Sequence, residues 1–292
     1  MKRFKKAAFT LIELLVVIAI IGILSALIVV GMSSTVQKAT IAKAQVFSNS
    51  LRNSLMNDLI SEWKLDNGSG TTATDSWSGG NTGTLTSFAD TTAGYGDTHT
   101  SGWMSSSNCI SGTCLKLDGS DDYLLFSSSI STNSRTQAGW FYFSQMATAK
   151  GNKIYNFNNL YQHNSNNYLY LGGTSDFFSA GIATVGWYHL ALVFSDKTNN
   201  TDAVLYVNGV AKNLNQQVGV HTVNDFSSIG LPSSLTFFGI VDDVRTFNAA
   251  MPTSQVQQNY FTGLNRLLVN NQINDQEYKK RIAELTSNYA KN

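Results

Sequence analysis

The chain has 292 residues and a formal net charge of +1, and only 13% of its residues are charged. That length holds one large domain or two ordinary ones, and the charge pattern, with no basic patch interleaved with aromatics, gives no nucleic-acid signal. Gly, Ser, Thr and Asn are abundant from about residue 66 onward, a composition poor for long soluble helices and good for turns between strands.

In chain order, the first element is apolar. Lys2, Arg3, Lys5 and Lys6 precede Phe9, so removing residues 1–8 takes four positive charges from a net of +1 and leaves −3. Residues 14 to 30, "LLVVIAIIGILSALIVV", are 17 consecutive residues without a charge. At about 1.5 Å of rise per residue this run matches a bilayer core, and a transmembrane helix over about residues 9–32 is predicted. A cleaved secretory signal is the alternative, but its apolar run would be shorter and no A-x-A pattern follows. The four basic residues place the N-terminus in the cytoplasm and everything beyond residue 32 outside. Glu13 stands near the start of the apolar stretch, although a carboxylate at the centre of a membrane helix costs roughly 2.5–3.5 kcal/mol. Further on, Ala44, Phe47, Leu51, Leu55 and Leu59 recur at spacings of 3, 4, 4 and 4, one face of a helix. A single helix over residues 9–56, about 70 Å long, is expected.

The string "FTLIELLVVIAIIGILSA" resembles the N-terminal signal of bacterial type IV prepilins and type II secretion pseudopilins. The resemblance implies that residues 1–8 are a leader, that prepilin peptidase cuts between Ala8 and Phe9, and that the new Phe9 amine is methylated. Ala8 stands where that family commonly has Gly. Glu13 becomes the fifth mature residue, and its carboxylate is then expected to pair with the Phe9 amine of a neighbouring subunit, rewarding correct register in a helical bundle. The implied partners are prepilin peptidase, the inner membrane before assembly, and other pilin or pseudopilin subunits.

From residue 58 to about 262 the chain reads as short strands separated by Gly-rich turns. Alternation is visible in "CLKLDGSDDYLLF", "QAGWFYFS", "GWYHLALVFS" and "AVLYVNGVAKNL", and Asn208-Gly209 is a tight-hairpin signal. An all-β sandwich of about 200 residues follows. Cys109 and Cys114 have no second pair or nearby His to complete a zinc site. Outside the cytoplasm a local disulfide is expected, with two buried free thiols as the alternative.

The ordered set "EWKLDNGSGTTATDSWSGGNTGTL", "CLKLDGSDDYLLF", "GWYHLALVFSD", "LYVNGV" and "FFGIVDDVRTFNAAMPTSQVQQNY" is similar to the laminin G-like, concanavalin A-like jelly-roll modules of bacterial surface proteins. That resemblance implies two antiparallel sheets packed face to face, a glycan or protein ligand, and a calcium ion held by Asp242 with backbone carbonyls from the early turns, where Asp66 and Asp75 lie, the hard-oxygen ligands that calcium prefers. The alternative is that Asp118, Asp121, Asp122, Asp242 and Asp243 fix turns or pair with Arg245. Tyr155, Tyr161 and Tyr168, interleaved with Asn in residues 154–173, are candidate sugar-stacking residues; ordinary strand alternation with one buried face is the alternative, and the favoured one for any single aromatic.

Catalysis is not expected. The four glutamates are Glu13, Glu62, Glu277 and Glu284, which leaves no glutamate pair within the sandwich for glycoside hydrolysis, and His99, His163, His189 and His221 form no recognisable triad or zinc pattern. His189 is read as a strand residue with a satisfied hydrogen bond. In the tail, residues 263–292, Asn274 with Glu277 three residues later reads as the cap of a short helix. The fold expected is therefore a long N-terminal α-helix, a concanavalin A-like sandwich and a short C-terminal helix. The function expected is a pilin-like subunit that passes from the inner membrane to a pilus or the cell surface and displays a binding domain. An unprocessed single-pass anchored binding module is the alternative, with a glycan hydrolase a distant third.

Overall fold

The computed structural model describes residues 11–22, 46, 58–77, 80–133, 135–145, 152–154, 160–162, 168–170, 177–182, 184–196, 202–215, 225–230 and 237–289. The chain divides into two compact units, Met1–Phe47 and Ser48–Asn292.

In the first unit residues 11–22 form a helix, α1, and every one of them is exposed. Leu11 is 81% exposed and Ile12 73%, so the helix presents an apolar surface. Val46 is helical as well. Among the described residues no helix is long and apolar enough to cross a membrane. The rest of the expected 9–32 span, and of the 9–56 helix apart from Val46, lies outside the described residues.

The second unit begins with β1 (Leu59–Trp63), β2 (Thr72–Ala73), β3 (Gly83–Thr86), β4 (Gly102–Met104), β5 (Cys114–Asp118), β6 (Tyr123–Ile130), β7 (Arg135–Phe143) and β8 (Asn152–Lys153). It continues through β9 (Tyr161–Gln162), β10 (Tyr168–Tyr170), β11 (Phe177–Gly181), β12 (Gly186–Phe194), β13 (Val204–Val207), β14 (Val210–Asn215), β15 (Phe226–Ile229) and β16 (Phe238–Phe247). Two helices close it, α2 (Thr253–Val269) and α3 (Asp275–Tyr289). The large sheet runs β4-β5-β16-β7-β12-β13-β14-β11-β10-β9-β8, with β1 also paired to β16, and the small sheet runs β15-β6-β3-β2. Leu59, the last member of the helical stripe read from the sequence, lies in β1 opposite Phe247 and is buried. Its spacing fits a helix, but the β16 edge gives its backbone a ladder and its side chain an apolar cover.

The core sits between the sheets. Trp63 stacks on Phe126 of the small sheet at 4.0 Å between ring centroids and donates from Nε1 to the Asn81 carbonyl at 2.8 Å, which ties the two layers together. Alternation sends Phe141 and Phe143 of β7, with Leu190, Leu192 and Phe194 of β12, into this core. Their neighbours Trp140 and Trp187 face the other way and are buried too. A central strand buried on both faces reads as a near-continuous apolar run, as "GWFYF" and "LALVF" do. The Asn208-Gly209 turn joins β13 to β14 with φ of 51° and 76°, the left-handed pair that a two-residue type I′ hairpin requires.

Helices α2 and α3 cover the outer face. Val256, Tyr260, Leu264 and Leu267 of α2 are fully buried, with Tyr260, Leu264 and Leu267 against Trp140, Trp187 and Ile240. At Gly263 an added Cβ would lie 2.4 Å from the Trp140 ring, so a glycine there lets the helix approach the sheet. The stretch assigned to the sandwich up to residue 262 thus ends in a helix that starts at Thr253. Asn274 caps α3 as read from the sequence, its Oδ1 accepting from the Glu277 amide at 2.8 Å.

Candidate functional site

The charged residues of "VDDVRTF" are arranged by a bulge in β16. Register against β7 shifts between Asp242 and Arg245, and Asp243 takes a left-handed φ of 52°. Glu62 stands opposite Arg245 across the β1–β16 ladder. Arg245 donates from Nε to Glu62 Oε1 at 2.9 Å and from Nη2 to Asp243 Oδ1 at 3.1 Å. Arg266 of α2 reaches the other oxygen of Asp243 at 3.2 Å. Burial opposes ionisation of Asp243, but the Arg245 and Arg266 guanidiniums outweigh it and hold its carboxyl below the usual range. The pairing of Asp243 with Arg245, an alternative read from the sequence, is present, whereas Glu62 was not read as a partner. Arg266 was not read as a partner, because only the folding back of α2 brings it there.

Asp242 is fully buried and organises the disulfide loop. Its Oδ2 accepts from the amides of Ile110 at 2.8 Å and Ser111 at 3.1 Å. Burial, then the neighbouring Asp243 charge, pushes its carboxyl well above the ordinary value. The Cys109–Cys114 disulfide is formed, with Cα atoms 5.5 Å apart. Asn270, at the end of α2, donates to the Cys109 and Ile110 carbonyls. Asp66 accepts from the Thr113 amide at 3.0 Å, so acidic residues from both ends of the domain hold the loop by its backbone.

This geometry bears on the expected calcium ligands. Asp75 uses Oδ1 to accept from the amides of Glu62 and Trp77, each at 3.0 Å. Among the described residues Asp66, Asp75 and Asp242 do not bring ligand atoms within 4.8 Å of one another; Asp242 converges instead with the two disulfide sulfurs. Each of the three carboxylates does the work of a backbone cap. Asp118, Asp121 and Asp122 do converge at the β5–β6 turn, but Asp122 Oδ2 accepts from the Asp118 amide and Asp118 Oδ1 from the Ser120 amide. Burial, with the Asp118 charge adding to it, pushes Asp122 up to about 7.

The aromatic candidates are not gathered into one face. Tyr155 lies outside the described residues, Tyr161 is in β9, and Tyr168 is a half-buried residue of β10. His189 lies under α2, with ring centroids 5.3 Å from Trp140 and 6.0 Å from Tyr260. Its backbone amide donates to Asn208 Oδ1, but among the described residues its ring Nδ1 has no hydrogen-bond partner, unlike the satisfied histidine expected. Burial lowers its pKa to about 3, which leaves a neutral core ring. Ala8 and Phe9 also lie outside the described residues, whereas Glu13 is an exposed residue of α1.

With this geometry in place, residues 3–29 match the prokaryotic N-terminal methylation motif. The motif implies processing by prepilin peptidase, assembly with other pilin subunits and membrane anchoring before display on a pilus. No curated protein matches the chain. Among solved structures, domain 4 of an extracellular arabinanase from Geobacillus stearothermophilus, in complex with arabinotriose, overlaps at a TM-score of 0.45 and 21% identity, over 68% of this chain and 96% of that one. A Trypanosoma rangeli sialidase in complex with sialic acid overlaps at 0.46 and 11% identity, over 69% of this chain and only 32% of that one. The binding domain of Paraclostridial Mosquitocidal Protein 1 overlaps at 0.45 and 9%, over 72% and 53%. The β-sandwich architecture itself rests on the strand register above.

Proposed function

We propose that the chain is a pilin-like or pseudopilin-like filament subunit whose β-sandwich is a binding module carried outside the cell. The observation that carries this reading is the methylation motif over residues 3–29, with Glu13 inside it on an exposed apolar helix. An exposed apolar helix needs lipid or other helices around it, and a filament bundle supplies the second after the bilayer has supplied the first. Glu13, costly in lipid, is accommodated when the Phe9 amine of a neighbour lies against it. Recognition of a glycan or protein ligand, rather than catalysis, is the role of the sandwich: Glu62 is tied to Arg245 and His189 is a buried neutral ring.

Mass spectrometry of protein taken from assembled filaments tests this. A methylated N-terminus at Phe9 is the expected result, and intact residues 1–8 in assembled protein would overturn it. Ala8, where prepilins commonly carry Gly, favours the second reading, an unprocessed membrane-anchored binding module, which the same measurement separates.

A further inference from the structure

Strand β3 ends at Thr86 and β4 starts at Gly102, and the loop between them, residues 87–101, is longer than a sandwich turn needs. Its only regular piece is a short 3₁₀ turn at Tyr95–Asp97. Loops of this length that keep one shape are commonly sites of function. This one is pinned from several sides. The Gly70 amide donates to the Thr91 carbonyl at 2.7 Å, and Lys116 Nζ donates to the His99 carbonyl at 2.8 Å. Asp97 Oδ1 accepts from the Ser105 amide at 2.9 Å and from Asn108 Nδ2 at 3.0 Å. A Cβ added to Gly102, which has a φ of 118°, would lie 3.1 Å from the Asp90 carbonyl and 3.2 Å from the Tyr95 ring, so those two residues close on the same point.

What the loop displays is an aromatic stack in the open. The Tyr95 and His99 rings are parallel, 3.8 Å between centroids and 5° between planes, as close as Trp63 on Phe126 in the core. Yet Tyr95 is only half-buried and His99 is exposed. The turn, rather than burial, holds the rings together. The His99 amide donates to the Tyr95 carbonyl at 3.2 Å, and ring Nδ1 lies 3.0 Å from the same oxygen and 2.9 Å from Thr98 Oγ1. Donation from Nδ1 to that carbonyl leaves Nε2 as an acceptor. With one face on Tyr95, His99 offers solvent its other face and its Nε2 edge. Exposed Asp97 makes both of its bonds above through Oδ1, so its Oδ2 remains for a ligand. Asp90 lies close enough for its charge to act on His99.

We propose that the Tyr95–His99 stack is the platform for the terminal sugar of a neutral glycan, an inference that rests on the binding-module reading above. A sugar ring has an apolar C–H face and a rim of hydroxyls. The open His99 ring, backed by Tyr95, meets the first, and Asp97 Oδ2 and His99 Nε2 accept from the second. Lys116 Nζ is turned to the Gly96 and His99 carbonyls, so the charge a ligand meets is that of Asp90 and Asp97, which disfavours an acidic sugar. Because the rings are already stacked and the loop is pinned, little freedom is lost on binding. Asp97, Thr98 and His99 are all exposed, so no part of the fold has to open.

The test uses the full-length protein in detergent on an array of neutral and acidic glycans, followed by titration with the methyl glycoside of the terminal sugar of the strongest neutral ligand. Chemical shifts of histidine-labelled protein read the contact, the His99 signal being the one lost in His99→Ala. Saturable shifts of the His99 ring are expected, and binding should weaken about fivefold in His99→Ala, as for one lost aromatic contact. Asp97→Asn keeps Oδ1 for Ser105 and Asn108, and should weaken neutral glycans about threefold while admitting acidic ones. Both variants should melt with the wild type, since the side chains changed are exposed. Wild-type affinity in both variants, or a His99 signal that does not move, overturns the platform and leaves glycan binding elsewhere on the module standing. Binding confined to sialylated or sulfated glycans overturns its neutral chemistry. A wild-type protein that binds no glycan overturns the glycan reading and leaves the module a protein ligand.

Discussion

The two units of this chain are anomalous in opposite senses. In α1 the apolar side chains are bare: Leu11 is 81% exposed and Ile18 61%. In the sandwich Trp63 and Phe141 are fully buried, and so are Ser61, Thr246, Asp242 and Glu62. Bare apolar surface means that a helix is incomplete without lipid or neighbours. Buried polar groups need partners supplied by the fold, by water or by a ligand. The first unit is thus incomplete at its surface and the second in its interior.

The largest effect expected on the first unit comes from Glu13→Ala. Membrane insertion should persist or improve, since a charge leaves the apolar stretch, while incorporation into filaments falls at least about tenfold, as for a lost buried ion pair. Quantitative blotting of sheared filaments against the membrane fraction measures both. Unchanged incorporation would break the contrast, because α1 would then be only an anchor.

In the second unit the largest effect comes from Asp243→Asn. Arg245 and Arg266 both bond this carboxylate, and a buried network that loses one partner is destabilised by about 3 kcal/mol. Urea unfolding should show a lower midpoint at an unchanged slope. Replacing Cys109 and Cys114 together by Ser is expected to cost somewhat less, about 2 kcal/mol, because a short loop removes little chain entropy from the unfolded state. The Asp242, Asp66 and Asn270 contacts to the same loop should keep the variant folded. If that double variant unfolds at room temperature, those contacts hold the loop less well than their geometry implies.

These contrasts follow sequence separation. The methylation motif is local, so its residues were legible together, and the apolar runs of β7 and β12 disclosed neighbouring strands of the large sheet. Arg245 and Glu62 are 183 residues apart, and nothing in either segment names the other. Helix α2 was hidden by its polar composition, "TSQVQQNYFTGLNRLLV", although Val256, Tyr260, Leu264 and Leu267 already recur at helical spacing. Its arrival turns an outer face into a second core and explains why "GWFYF" has no polar side. The turn aspartates teach a similar point, since one reads like another until its backbone partners are known.

The smallest effect concerns pH and sharpens the sandwich side alone. Burial raises Asp122 from an ordinary carboxylate value to about 7, so between roughly pH 4 and pH 7 the folded state holds a proton that the unfolded state has released. Stability from this group is present below the unfolded value and is lost as pH rises toward 7. His189, lowered to about 3, works the other way: the unfolded chain takes up a proton below about 6.5 and the buried ring does not, so its contribution falls as pH falls. Wild-type stability thus contains two opposed slopes over the same range. Asp122→Asn keeps an oxygen for the Asp118 amide and abolishes only the first slope. The variant should match wild type near pH 4 and exceed it near pH 8 by on the order of 1 kcal/mol, leaving the rising His189 slope exposed. Parallel urea midpoints for the two proteins across that range would mean that the turn carboxylate ionises as freely in the folded chain as in the unfolded one.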